Sequence, residues 1–257
     1  MGALHRGHLA LIECAVNECE IVTVSIFVNP NQFNDKNDLK NYPRTLDKDL
    51  ALISNVMREN DIVFTPDTKE IYPHIDTRVF KFGNLETVME GEHRPGHFNG
   101  VAQVVTRLFD IVNPDFAYFG QKDFQQLTII RELVRQTGNK VKIIGCPIVR
   151  ETDGLAMSSR NQLLEPDVRK NAPVIFKTLS QVATIAKNRE ITDLKEFVRS
   201  KINEVPGFEV EYFEIADDSE LVTISHKSEI RNDRRYFACI AVRAGKIRLI
   251  DNIEISL

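Results

Sequence analysis

Two histidines three residues apart, His5 and His8, stand at the start of an amphipathic helix and could bind a phosphate group. The helix is indicated by apolar residues at three- and four-residue spacing: Leu9, Ile12, Ala15, Val16 and Cys19. Backbone N–H groups and the positive dipole end at a helix N-terminus attract anions. Because His-x-Gly-His also arises by chance and chain ends are often disordered, the motif alone leaves both a phosphate site and a frayed end open.

A second element, the loop at 153–161, carries two hydroxyls beside a guanidinium, in Ser158, Ser159 and Arg160. Arginine offers a planar fork of donors and serine an adjustable O–H group, and both suit phosphate oxygens. The same residues are also ordinary in a loop that caps a helix beginning near Pro166. Together with the histidine pair, however, this loop resembles the paired signatures of the adenylate-forming nucleotidyltransferase superfamily, which includes class I aminoacyl-tRNA synthetases.

The composition is that of a globular protein with one or two domains. The chain has 257 residues, 42% of them hydrophobic, with 33 Lys and Arg against 37 Asp and Glu, a net charge of −4. This balance argues against nucleic-acid and membrane-surface partners. The longest apolar runs, such as 21–28, are too short to cross a bilayer, and no secretory signal opens the chain, so we expect a cytoplasmic location. We also expect four reduced cysteines without metal-ligand spacing: Cys14, Cys19, Cys146 and Cys239.

Residues 1–147 alternate between predicted strands and helices. Continuous apolar or β-branched runs predict strands at 21–28, 62–64, 77–82, 116–119 and 141–144. Apolar residues at helical spacing predict further helices at 45–59, 99–112 and 124–137. We therefore expect an α/β domain with a Rossmann-like, doubly wound parallel sheet. Ligands bind such sheets at the carboxyl ends of the strands, where polar loops follow Val28 and Phe119.

Residues 148–257 predict a smaller α+β domain. Charged amphipathic helices at 168–188 and 193–204 precede strands at 208–215, 235–242 and 246–250. The last two strands are joined through Ala244 and Gly245, which indicates a hairpin. Since the loop at 158–160 lies near the domain junction, a hinge there could close this second domain, as a lid, over a bound nucleotide.

Further segments resemble one family of that superfamily, pantoate–β-alanine ligase. They are the residues Phe-Val-Asn-Pro-Asn-Gln-Phe at 27–33, Tyr-Pro-Arg-Thr at 42–45, Arg-Pro-Gly-His-Phe at 94–98, Phe-Gly-Gln-Lys-Asp-Phe-Gln-Gln at 119–126 and Arg-Leu-Ile-Asp-Asn at 248–252. They occur in the expected order over nearly the whole chain. This set separates the chain from tRNA synthetases and from adenylyltransferases that share only the histidine motif.

The resemblance implies a two-step reaction. Pantoate would attack the α-phosphorus of ATP to give pantoyl-adenylate and pyrophosphate, and β-alanine would then displace AMP to give pantothenate. A carboxylate that attacks a polyphosphate brings like charges together, so the site needs cations and hydrogen-bond donors around the phosphates. The resemblance also implies Mg²⁺ bridging the phosphates and a homodimer.

Residue roles follow from the same resemblance. Catalysis would fall to His5, His8, Lys122 and Arg160, with His8 as proton donor. ATP would contact Met1, Gly2, Ala3, Leu4, His5, Arg6, Gly7, His8, Gly120, Gln121, Lys122, Asp123, Val149, Met157, Ser158, Ser159 and Arg160. Within this set, Gly120 and Asp123 would meet the ribose and Val149 would lie along the nucleotide. Pantoate would contact Gln32 and Gln126, whose amides offer both donors and acceptors to a hydroxy-acid. No side chain is assigned to a metal: a cluster of Glu90, Glu92, His93 and His97 is disfavoured because Pro95 and Gly96 interrupt the helix it would need.

Two departures from the family pattern shape the remaining expectations. Family members place a helix and a central strand before the methionine that begins this chain, so we expect the polypeptide alone, with its first strand missing, to be unstable or weakly active. Gln121 stands where acidic or basic residues are common. Two alternatives also stay open: a nucleotidyltransferase acting on another small acid, and a nucleotide-binding or regulatory module that has lost catalysis with its first strand.

Overall fold

The computed structural model describes residues 1–33 and 36–257, which divide into two compact units. The first unit contains Met1–Gln121 and Gln125–Pro147, and the second contains Lys122–Phe124 and Ile148–Leu257. The short segment Lys122–Phe124 thus groups with the second unit, although its neighbours on both sides in the chain belong to the first. Across the described residues, no helix combines the length and apolar character needed to span a membrane.

The first unit is built from helices and two parallel strand pairs. Its helices are α1 Arg6–Glu18, α2 Lys36–Asn41, α3 Leu46–Ile53, α4 Thr68–Ile71, α5 Glu90–His93, α6 His97–Val112 and α7 Phe124–Thr137, whose first residue groups with the second unit. Its strands are β1 Thr23–Ser25, β2 Ile62–Phe64, β3 Phe116–Gly120 and β4 Lys142–Cys146. β1 pairs in parallel with β2, and β3 with β4. The α/β class is confirmed, while the doubly wound strand order stays a prediction because the described strands form two separate pairs.

The apolar face of helix α1 lies in a buried cluster with residues in and beside β1, as its residue spacing predicts. The buried side chains of this core are Leu4, Ile12, Ala15, Val22, Val24, Ile26 and Ile53. The last of these comes from α3, so a single apolar cluster joins α1, β1 and α3. Burial on this scale fixes the direction of α1 and therefore of the histidines at its start.

The predicted strand at 77–82 is wrong, because side chains satisfy the backbone there. Phe80 N donates to Asn99 Oδ1 at 2.9 Å, and Phe82 N donates to Glu86 Oε1 at 2.9 Å. The side-chain amide of Gln103 donates to the Arg78 carbonyl at 2.8 Å. Hydrogen bonds to side chains here replace the ladder that a strand would need.

Other elements are shorter than predicted. β1 spans Thr23–Ser25 within the expected 21–28, and α3 ends at Ile53 within the expected 45–59. The predicted helix at 168–188 is divided into α8 Pro166–Asn171 and α9 Val174–Ile185. The break falls at Pro173, which has no N–H group to continue a helical ladder.

The second unit packs helices on an antiparallel sheet, as predicted. After α8 and α9 come α10 Ile191–Asn203, β5 Phe208–Asp217, β6 Tyr236–Ala244 and β7 Ile247–Ile255, with sheet order β5-β6-β7. The predicted hairpin turns at Gly245, whose φ of 59° lies in the left-handed region that glycine tolerates. Side chains that α9 and α10 bury completely include Leu179, Val182, Leu194 and Val198.

Candidate active site

His5 and His8 lie together at the N-terminus of α1, and backbone groups fix both rings. His5 caps the helix, with its Nδ1 accepting from Gly7 N at 3.1 Å. His8 Nδ1 accepts from His5 N at 3.2 Å, and the two ring centroids are 4.1 Å apart. A ring nitrogen that accepts carries no proton, so each neutral imidazole holds its proton on Nε2. Both Nε2 atoms are therefore hydrogen-bond donors beside a helix N-terminus, where anions are stabilised.

The backbone before the histidines is held by the buried carboxylate of Asp49, which belongs to none of the sequence motifs. Asp49 on α3 is 2% exposed and accepts from Ala3 N at 3.0 Å and from Leu4 N at 2.8 Å. Thr45 Oγ1 donates to the same carboxylate at 3.0 Å. Ala3 has a φ of 49°, a left-handed conformation that needs such support. A sequence signal existed: Asp49 shares a face of its helix with apolar Ile53, where a charge is unexpected.

Met1 and Gly2 run beside β1 where that strand ends. Phe27 N donates to the Met1 carbonyl at 2.8 Å, and Met1 N lies 2.9 Å from the Ser25 carbonyl oxygen. A Cβ atom on Gly2 would approach Val28 Cγ2 to 3.2 Å. The predicted ATP-binding residues 1–8 therefore form one continuous segment that begins at the carboxyl end of β1 and continues into α1.

Gln32 stands on a 3-10 turn, Pro30–Gln32, that a buried asparagine organises. Asn29 is 2% exposed; its Oδ1 accepts from Asn31 N at 3.2 Å and from the Tyr72 hydroxyl at 2.9 Å. Burial raises the pKa of Tyr72 to about 12, so this hydroxyl stays a donor. His97 Nδ1 lies 2.7 Å from the Gln32 carbonyl oxygen and donates to it. The Gln32 amide is therefore carried by a fixed turn, and sequence analysis missed the role of Asn29 in it.

The same turn packs directly on α6 at Gly100. A Cβ atom there would lie 2.2 Å from the Asn31 carbonyl oxygen, and the Gly100 carbonyl accepts from Asn29 Nδ2 at 3.0 Å. We expect Gly100→Ala to destabilise the protein by about 1–3 kcal/mol, because overpacking outweighs the gain in helix propensity. Urea unfolding measures the loss. Asp110→Ala, on the exposed side of α6, is the matched control; an equal loss there would contradict the close-packing argument.

Neighbouring glutamines on α7 have different environments. Gln125 is 4% exposed and saturates its amide: Oε1 accepts from Glu90 N at 2.9 Å, and Nε2 donates to the Leu85 and Val88 carbonyls at 2.8 Å. Gln126, the residue predicted for pantoate, is half-buried. Gln125 thus anchors the helix that carries Gln126.

Within the second unit, Lys122 follows β3 on the 3-10 turn Gln121–Asp123. Its carbonyl accepts from Asn252 Nδ2 at 3.1 Å, and its Nζ lies 3.8 Å from Asp123 Oδ1. The Phe124 ring packs on Phe237 of β6 with ring centroids 4.5 Å apart. Gly120, the last residue of β3, belongs to the first unit, as does Gln121.

The loop that bears Ser158 and Ser159 directly follows a small hairpin, in which Arg150 and Ala156 form an antiparallel bridge. Met157 N donates to the Val149 carbonyl at 3.0 Å, so these two predicted ATP-binding residues are direct partners. Ser158 then caps the 3-10 turn Ser159–Leu163, its Oγ accepting from Arg160 N at 3.2 Å. Ser159 is 6% exposed, whereas Ser158 and Arg160 are half-buried. Within residues 158–160, Ser158 and Arg160 are therefore more accessible than Ser159.

Comparison with known proteins decides the family. The family model described as Pantoate-beta-alanine ligase matches residues 1–254. The chain belongs to the pantoate–β-alanine ligase family. A pantothenate synthetase of Azobacteroides pseudotrichonymphae is 55% identical over 253 residues, covering 98% of this chain and 89% of that protein. One from Bacteroides thetaiotaomicron is 50% identical over 254 residues, covering 99% and 88%. The resemblance predicted from separate motifs is thereby confirmed.

Solved structures of the family share the fold. The pantothenate synthetase of Thermus thermophilus is 42% identical with a TM-score of 0.91, covering 100% of this chain and 91% of that one. The pantoate-beta-alanine ligase of Francisella tularensis, solved in complex with beta-gamma ATP and β-alanine, is 35% identical with a TM-score of 0.79, covering 99% and 87%. An ATP-dependent ligase of pantothenate biosynthesis is thus the family context for the residues described above.

Proposed function

We propose that this chain joins pantoate to β-alanine through a pantoyl-adenylate, with His5 and His8 binding the phosphates of ATP in the first step. The ligation itself is the activity of the family to which the chain belongs. The observation that carries the residue assignment is that both Nδ1 atoms accept from backbone N–H groups, which places the proton of each neutral ring on Nε2 beside a helix N-terminus. Such fixed donors stabilise the negative charge that develops as pyrophosphate departs. His8 would be the proton donor.

The resemblance assigns cationic and hydroxyl groups to the phosphates as well. Lys122 and Arg160 would neutralise phosphate oxygens, and Ser158 and Ser159 would donate hydrogen bonds to them. Asp123 and Gly120 would meet the ribose, and Val149 would lie along the nucleotide. No group of three or more His, Cys, Asp or Glu side chains suited to a metal occurs in residues 1–33 or 36–257. We therefore propose that Mg²⁺, which shields phosphate charge, arrives bound to ATP, since it is commonly held by substrate phosphates and water.

Gln32 and Gln126 would bind pantoate. Each amide pairs a donor with an acceptor, which fits a substrate with two hydroxyls and a carboxylate. Sites that hydrogen-bond hydroxyls also reject analogues that lack them. In the second step, the uncharged amine of β-alanine would attack the pantoyl carbonyl and release AMP, a reaction that needs mainly positioning. The serines would bind phosphate and form no covalent intermediate. We also propose that the protein is a homodimer, as the family resemblance implies, and that it is cytoplasmic.

The pantoate assignment predicts a selective kinetic change. We expect Gln32→Ala and Gln126→Ala each to raise pantoate KM about 10- to 100-fold, the effect of losing one or two substrate hydrogen bonds. ATP KM should change far less. The measurement is pyrophosphate release from Mg-ATP over a range of pantoate concentrations, with and without β-alanine.

Gln136→Ala is the matched control, since it removes an amide from the exposed side of the same helix, α7. Unchanged pantoate KM in both folded variants would refute the assignment. Release of pyrophosphate with another small acid but not with pantoate would favour the alternative nucleotidyltransferase, and no release at all would favour a binding module.

A further inference from the structure

Two of the proposed ATP-binding segments are tied to adjacent residues of β7. Asn252 donates through Nδ2 to the Lys122 carbonyl at 3.1 Å. Asp251 pairs with both arms of the Arg150 guanidinium, at 2.6 Å and 3.0 Å. Arg150 lies in the hairpin that leads to the serine loop, and all of these residues belong to the second unit. The same short stretch of strand therefore contacts the backbone of one segment and the base of the other.

Arg150 holds its hairpin through several contacts at once. Its Nη1 donates to the Gly154 carbonyl at 3.2 Å, at the tip of the hairpin. The guanidinium carbon lies 3.6 Å from the ring centroid of Phe176, a cation–π distance. Gly154 has a φ of 96°, and a Cβ atom there would approach the Phe176 ring to 2.7 Å. The backbone conformation of the hairpin before Ser158 is thus set by the Arg150 guanidinium and its contacts with Gly154 and Phe176.

The two β7 residues are themselves deeply buried. Asp251 is 4% exposed and Asn252 is 2% exposed, and Asn252 N donates to Asp251 Oδ1 at 2.8 Å. The Arg150 side chain is 18% exposed. A two-pronged arginine–carboxylate pair has a fixed geometry that lysine does not reproduce. Burial of the pair and of the amide makes them suited to orient other groups.

We propose that Asp251 and Asn252 are positioning residues for ATP: Asn252 sets the place of Lys122, and Asp251 sets the place of the 158–160 loop through Arg150. This inference rests on the proposed function, which assigns Lys122 and Arg160 to the phosphates. Displacement of a binding group by about 1 Å is enough to lower a reaction rate strongly. Because β7 carries both Asp251 and Asn252, it positions Lys122 and the 158–160 loop together. A change in either buried residue therefore alters the ATP kinetics.

A double-mutant cycle tests the first link. We expect Asn252→Ala to raise ATP KM about 10-fold in the wild-type background and less than about 2-fold in a Lys122→Ala background, because its effect passes through Lys122. Pantoate KM should stay within about 2-fold, since the proposed pantoate residues lie in the first unit. Glu254→Gln, which alters an exposed ion pair on the same strand, is the control and should leave both constants unchanged.

The outcomes distinguish a wrong role for Lys122 from a wrong positioning role for Asn252. Normal ATP kinetics in Lys122→Ala would refute the proposed role of Lys122. Impaired Lys122→Ala with an Asn252→Ala effect that is absent, or equal in both backgrounds, would overturn the positioning role alone. If Asn252→Ala does not fold, Arg150→Lys provides the second test, because it keeps the charge beside Asp251. An increase in ATP KM that disappears in an Arg160→Ala background supports the inference, and one that persists there, or is absent, overturns it.

Discussion

Replacement of His8 by alanine is expected to lower kcat/KM for pyrophosphate release by about 100- to 1,000-fold, the usual effect of removing a fixed donor or proton donor from a site of developing charge. The ring sits at the N-terminus of α1, and its Nδ1 accepts from His5 N, so the variant loses the Nε2–H donor and also the acceptor of His5 N. Pyrophosphate release in the presence of pantoate measures the first step. Turnover of supplied pantoyl-adenylate by β-alanine should change much less, because pyrophosphate does not leave in that step.

Two further variants sharpen this test. His8→Gln restores an N–H donor and should recover part of the rate, whereas His74→Ala removes an exposed histidine and should have no effect. Equal losses in both half-reactions of folded His8→Ala protein would mean that the ring has a general structural role, and the proposed role in pyrophosphate departure would then be wrong.

Asp49→Ala is expected to lower the free energy of unfolding by about 2–4 kcal/mol, because two buried N–H donors lose their acceptor. Those donors are Ala3 N and Leu4 N, and Ala3 holds a left-handed conformation that loses its support. Urea unfolding with a linear extrapolation measures the change. Activity should also fall, with a higher ATP KM, since this carboxylate holds the backbone that leads into the histidine pair.

The same helix offers a matched comparison. Asp47→Ala removes an exposed carboxylate from the first turn of α3 and should cost only about 0.5 kcal/mol, through the helix dipole. Asp49→Asn keeps one acceptor oxygen and should lie between the two. If Asp49→Ala is as stable as Asp47→Ala, the carboxylate does not hold the N-terminal backbone.

Local sequence patterns were sufficient to predict the helices and strands whose apolar residues recur at regular spacing. The bounds of α7 agree with the predicted 124–137, and α10 and the β6–β7 hairpin lie close to their predicted places, because apolar spacing and a turn glycine act within one element. The segment at 77–82 has a strand-like composition, yet its backbone is satisfied by side chains distant in sequence, such as Gln103. Sequence spacing carries no record of such partners.

In the candidate site, too, some residues could be recognised from the sequence and others only from the structure. Motif resemblance led to His5 and His8, and local geometry then accounts for their tautomer. The supporting roles of Asp49 and Asn252 were outside the reach of sequence spacing, although Asn252 lies in the segment 248–252 that carries the resemblance. These residues act on backbone groups 45 and 130 positions away in the chain. Residues that present a ligand-binding group can be recognised by type, whereas residues that orient such a group are found only once the fold has brought them there.

The grouping of Lys122–Phe124 with the second unit has a consequence for dissecting the chain. A fragment made of residues 148–257 would lack the aromatic ring that covers Phe237 and the carbonyl that accepts from Asn252. The apparent boundary after Pro147 is thus not a place where the polypeptide can be cut to give two self-sufficient pieces. A chimaera that exchanges C-terminal units between relatives would need to exchange these three residues as well.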